Sequence, residues 1–91
     1  MNRIALRVRV YGLVHGVYFR ASLARFASEQ GVAGWVKNVP DGTVEALLEG
    51  DEAGVMKVVE WAHKGPPRAR VDSVKVEAQA PRNLRGFRIE G

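Results

Sequence analysis

Apolar and polar residues alternate from Ile4 to Tyr11, with Leu6, Val8 and Val10 on one side and Arg7 and Arg9 on the other. A period of two predicts a strand with one buried face. The period then lengthens. Between Phe19 and Gln30, the residues Phe19, Leu23, Phe26 and Ala27 share one stripe of an amphipathic helix. Gly31 stands where a left-handed cap ends such a helix. Val32 to Asn38 reads as a second strand and Pro40-Asp41-Gly42 as a turn. Thr43 to Glu49 alternates again, Val44, Ala46 and Leu48 against Glu45, Leu47 and Glu49, so these two strands should form a hairpin. Asp51 is placed to N-cap a second helix, whose apolar stripe is Val55, Val58, Val59 and Ala62. Gly65-Pro66-Pro67 stops it, because proline cannot continue a helix. Arg70 to Ala78 is a fourth strand with Val74, Val76 and Ala78 on one face, and Phe87 and Ile89 mark a short fifth.

That order is βαββαβ with a short extra C-terminal strand, which predicts an α+β, ferredoxin-like sandwich. Two helices should cover one face of a mostly antiparallel sheet and leave the other in water, carrying Arg7, Arg9 and Glu45. No linker or low-complexity stretch interrupts residues 1–91, so one domain is expected. The chain is 46% hydrophobic, within the range of globular domains. No apolar run approaches the roughly 20 residues that span a bilayer, and Met1 to Val8 carries Arg3 and Arg7, unlike a leader peptide. A soluble cytoplasmic monomer is the expectation.

Composition also narrows the chemistry. With no cysteine there is no disulfide framework, thiol nucleophile or cysteine–zinc site. The formal charge of +4 and pI near 10.0 favour anionic partners, whether small phosphates or nucleic acid.

One loop concentrates features that suit an anion. Gly12-Leu13-Val14-His15-Gly16-Val17-Tyr18-Phe19-Arg20 contains no aspartate or glutamate. Gly12 and Gly16 would let the backbone turn and approach a ligand closely, and successive N–H groups in such a turn can converge on an anion. The following helix adds free N–H groups and the positive end of its dipole. Arg20 contributes a planar fork that grips phosphate bidentately. On spacing alone, a connecting loop with an incidental arginine stands equally well. There is no Gly-Lys-Ser/Thr triplet of a Walker loop, and the glycine spacing does not fit a dinucleotide fingerprint.

The same nine residues closely resemble the first signature of the acylphosphatases, in which a glycine–valine loop runs into Phe-Arg. Gly34-Trp35-Val36-Lys37-Asn38-Val39-Pro40-Asp41-Gly42-Thr43-Val44 is similar to their second signature, with its asparagine just before the hairpin turn. Gly50 and Gly65-Pro66-Pro67 also sit where that family has comparable features. The resemblance implies a ferredoxin-like hydrolase of acyl phosphates that uses no metal and no cofactor, with an acyl phosphate as substrate and inorganic phosphate as product. It implies Arg20 and Asn38 as catalytic residues. The phosphoryl group would be bound by the N–H groups of His15, Gly16, Val17, Tyr18, Phe19 and Arg20. Two positions depart from the family pattern: His15 replaces the usual glutamine, and Tyr18 stands where glycine or cysteine is usual. Because cysteine occurs there, position 18 need not have a positive φ; a tyrosine ring could crowd the site or cap it.

Other residues read more plainly. Thr43 could orient Asn38, although a β-favouring threonine at a strand start explains it as well. Lys37 should point to the opposite sheet face from Asn38. His63 suits the surface near a helix C-terminus, and Trp35 and Trp61 suit packing. An RNA-binding module shares the βαββαβ order, but its aromatic signature belongs on the third strand. Here Thr43, Glu45, Leu47 and Glu49 offer no stacking ring. Neither nucleic acid nor membrane is expected as a partner.

Overall fold

Both periodicities are realised. In the computed structural model, which describes residues 2–91, the elements run β1 (Arg3–Leu13), α1 (Phe19–Glu29), β2 (Ala33–Asn38), β3 (Val44–Asp51), α2 (Glu52–Lys64), β4 (Arg70–Gln79) and β5 (Phe87–Glu90). Met1, the first residue of the stretch judged unlike a leader, lies outside the described residues. The strands form one sheet in the order β4-β1-β3-β2-β5. Every neighbouring pair is antiparallel except β2 with β5. No described helix is long and apolar enough to cross a membrane.

Both helices lie on one face. Phe19, Leu23 and Ala27 of α1 and Val55, Val58, Val59 and Ala62 of α2 are buried against Val8, Val10, Val36, Val44, Ala46 and Leu48 of the sheet. Each fully buried valine or leucine contributes about 1.5–3 kcal/mol of transfer free energy. Trp61 closes the helical layer, its ring 5.4 Å from that of Phe19 and stacked at 6.0 Å on Phe26.

The helix ends show how local chemistry sets the path. At the end of α1, Gly31 N–H donates to the Ser28 carbonyl (3.1 Å) and Val32 N–H to that of Ala27 (2.9 Å). These paired bonds, with Gly31 at φ 70°, form the Schellman arrangement that turns the chain into β2. Asp51 occupies the N-cap position of α2, but its side chain makes no capping bond. The Glu52 N–H instead donates to the Asn2 carbonyl (3.0 Å), while the Asn2 amide donates to the Glu52 carboxylate (3.0 Å).

Three expectations need correction. β1 runs two residues beyond Tyr11, with an irregularity between Tyr11 and Gly12, and then pairs Gly12 with Val71 and Leu13 with Arg70. A Cβ on Gly12 would collide with the Arg70 carbonyl. Its glycine therefore serves strand-to-strand approach, not a ligand.

The open face of β3 is not solvent-exposed either. Glu45, Leu47 and Glu49 are all buried. Arg7 (3.1 Å), Arg9 (3.4 Å) and Lys37 (3.8 Å) converge on the Glu45 carboxylate. Lys37 also lies over the Trp35 ring (5.1 Å), on the open face as alternation requires. Glu49 is completely buried because the chain between β4 and β5 crosses it: its carboxylate accepts from Arg82 N–H (2.9 Å), Leu84 N–H (3.3 Å) and Arg3 Nε (2.8 Å). Third, Val76 and Ala78 are exposed, and of the expected apolar trio only Val74 packs against the core. β4 is an edge strand whose far end has no cover.

Candidate active site

The chain leaves β1 at Leu13 and enters α1 at Phe19, so the anion loop is residues 14–18. Val14, Val17 and Phe19 are buried in the core and anchor it, while His15 is half-buried and Gly16 and Tyr18 are exposed. Gly16 and Tyr18 both have positive φ, 71° and 63°. The expectation that position 18 need not have a positive φ is therefore overturned. Tyr18 is the left-handed N-cap residue of α1, a conformation that costs a residue with a Cβ roughly 1–2 kcal/mol. It makes no side-chain capping bond, and no acidic residue occupies the first turn of α1. The first N–H groups of the helix are thus left for another acceptor.

Residues from three elements meet at this helix start. Val14, Gly16, Tyr18, Phe19, Arg20, Ala21, Asn38 and Ile89 line a depression of about 370 Å³. Arg20 is the only charged residue in this lining, and it donates through Nη1 to the main-chain oxygen of Gly91. Asn38, the last residue of β2, enters from the sheet. Its Oδ1 is buried and accepts no hydrogen bond from any described group. A buried amide oxygen left unpaired is costly unless a ligand or water supplies the donor. Arg20 and Asn38 are therefore brought together, as are Gly16, Tyr18 and Phe19 of the expected cradle; His15 and Val17 belong to the loop without lining the depression.

The side chain of His15 has a part that sequence reading missed. Its Nε2 lies 2.8 Å from the Thr43 carbonyl, to which it donates. The same carbonyl accepts from Val39 N–H (2.9 Å), the residue after Asn38. Thr43 itself is buried, and its hydroxyl donates to Asp41 Oδ1 (2.6 Å) rather than to Asn38. Thr43 N–H donates to the same oxygen (3.0 Å). These two bonds, together with the charge of Arg9, hold the Asp41 carboxyl below its ordinary value. No spacing rule would have joined His15 to Thr43. The Asp-Gly-Thr turn did carry a signal, since aspartate commonly accepts from the main chain two residues on.

The remaining candidates stand apart. His63 is exposed, with Nδ1 3.0 Å from the Val59 carbonyl one helical turn back, and Lys37 and Trp35 belong to the open face. Among the described residues no group of three or more His, Cys, Asp or Glu could hold a metal ion.

Known proteins resemble this chain in both sequence and fold. The family model described as acylphosphatase matches residues 6–89. An acylphosphatase of Thermococcus kodakarensis is 50% identical over 91 residues, covering all of both chains. The solved acylphosphatase of Coxiella burnetii superposes with a TM-score of 0.94 at 37% identity, over 98% of this chain and 94% of that one. That of Bacillus subtilis gives 0.94 at 35% identity, over 97% and 99%. Likeness along the whole length, with two signatures folded onto one depression, leaves no other placement: the chain belongs to the acylphosphatase family.

Proposed function

We propose that the depression between α1 and β2 hydrolyses acyl phosphates, and that Arg20 and Asn38 carry the reaction. The main-chain N–H groups of residues 15–20 surround the phosphoryl oxygens, and the Arg20 guanidinium neutralises their charge. The Asn38 side-chain oxygen accepts a hydrogen bond from a water O–H and holds that water in line with phosphorus. The water oxygen forms a new bond to phosphorus while the bond to the acyl oxygen breaks. The acyl group departs as a carboxylate, and the water proton passes to phosphate or solvent. A carboxylate is a good leaving group, so positioning and charge neutralisation suffice without a strong base.

The observation that carries this reading is that Arg20 and Asn38, whose side-chain oxygen has no partner among the described groups, line one depression with no carboxylate in its lining. A cation and free N–H groups suit the phosphoryl group, and the amide suits the water. The test is hydrolysis of acetyl phosphate in EDTA, parent against Arg20→Gln. Loss of one such electrostatic contact costs on the order of a hundred- to a thousand-fold in rate. Equal rates would sink the proposal.

A further inference from the structure

Among the described residues, large apolar side chains left in water are few: Leu13, Tyr18, Met56, Val76 and Ile89. Two of these five, Tyr18 at 74% exposure and Ile89 at 50%, line the same depression as Arg20 and Asn38. They come from elements distant in sequence, the start of α1 and β5. Neither position is a simple overflow from the core. Along β5, Phe87 packs against the core while Ile89 lines the depression. Tyr18 holds a left-handed backbone that glycine would occupy without cost. Strain kept at a position that lines the depression points to a use for the side chain.

An acyl phosphate has two unlike halves. The phosphoryl half is ionic and takes N–H groups and Arg20; the acyl half can be wholly apolar. A depression of about 370 Å³ lies within the roughly 300–1,000 Å³ range of small-molecule sites, where apolar walls carry affinity and a few polar groups fix orientation. We propose that Tyr18 and Ile89 form the acyl subsite of this chain, so that it selects acyl phosphates of aromatic or bulky aliphatic acids over those of small acids. This rests on the hydrolytic reading above. A tyrosine ring offers a broad, rigid face for stacking an aromatic acyl group, and Ile89 supplies a second apolar contact.

The experiment compares kcat/KM for benzoyl phosphate with that for acetyl phosphate in the parent, Ile89→Thr and Tyr18→Asn. Asparagine tolerates the left-handed conformation, so the substitution removes the ring while keeping the backbone path. The parent should favour benzoyl phosphate. The benzoyl-to-acetyl ratio should fall about tenfold in Tyr18→Asn and roughly threefold in Ile89→Thr, as loss of partial apolar contacts predicts. A ratio unchanged in both variants overturns the subsite. So does an equal rise for both substrates in Tyr18→Asn, the mark of a ring that merely obstructs. A parent that hydrolyses neither substrate overturns the hydrolytic reading, and the subsite with it.

Discussion

Arg3, Arg7 and Arg9 reach from β1 to carboxylates on the open face, whereas no aspartate or glutamate among the described residues pairs with Arg20. Its hydrogen-bond partner is a main-chain oxygen, that of Gly91. The two regions contain the same side chain and opposite electrostatics. On the open face, buried Glu45 and Glu49 consume the positive charge and tie strands together. At the start of α1 no aspartate or glutamate among the described residues takes up the charge of Arg20, which lies beside free N–H groups. The basic balance of the whole chain thus says little about function; a cation without an acidic partner that lines the same depression as Asn38 says much more.

The same substitution at the two regions tests this contrast most severely. Arg20→Gln should reduce acetyl phosphate turnover by on the order of a hundred- to a thousand-fold and weaken inhibition by inorganic phosphate. Arg7→Gln should leave that turnover nearly unchanged. Next in size is Asn38→Ala, expected to lower kcat about a hundredfold while the inhibition constant of inorganic phosphate stays near the parent value. If affinity for phosphate fell and kcat did not, Asn38 would belong with the anion cradle and not with the water.

On the open face the effects should appear in stability. Burial alone would raise the pKa of Glu49; the N–H of Arg82 and the hydrogen bond and charge of Arg3 outweigh it, leaving the carboxyl below its ordinary value of 4.5. A depressed carboxyl stabilises the fold above its ordinary value, and that contribution fades as pH falls through the lowered one. Glu49→Gln should therefore cost about 1–3 kcal/mol near neutral pH in urea unfolding. The gap from the parent should close progressively below pH 4.5. A gap constant with pH would show that the charge of Glu49 contributes nothing. Arg7→Gln should have the smallest effect. Arg7 is 40% exposed at its side chain, and Glu45 keeps Arg9 and Lys37. A loss under about 1 kcal/mol, with kcat/KM within about twofold of the parent, is expected. A large fall in activity there would erase the distinction between the two regions.

Much of the architecture was legible because strands and helices leave different periods. The Thr43–Glu49 alternation placed Val44, Ala46 and Leu48 correctly in the core. It could not tell that Glu45 and Glu49 would also be buried, because their cover comes from side chains on β1 and β2 and from the chain near Arg82. Residues far apart in sequence leave no local pattern. At the candidate site, the loop composition and the two signatures pointed to Arg20 and Asn38, and the fold lines one depression with both. The contact of Arg20 with Gly91 depended on β5 joining β2 in parallel, and the left-handed Tyr18 on a path that no tyrosine would choose by itself.

The Thr43 carbonyl has a consequence for motion. One oxygen accepts from His15, within the anion loop, and from Val39, next to Asn38. Loop and strand end are referenced to a single atom, so displacement of that atom carries both in the same direction. Thermal movement of the turn would then be common to the two sides, disturbing the spacing between them less than the place of either. The proposed reaction, which depends on the gap between water and phosphorus, is sensitive to the difference in their positions, and a shared anchor would keep that difference small.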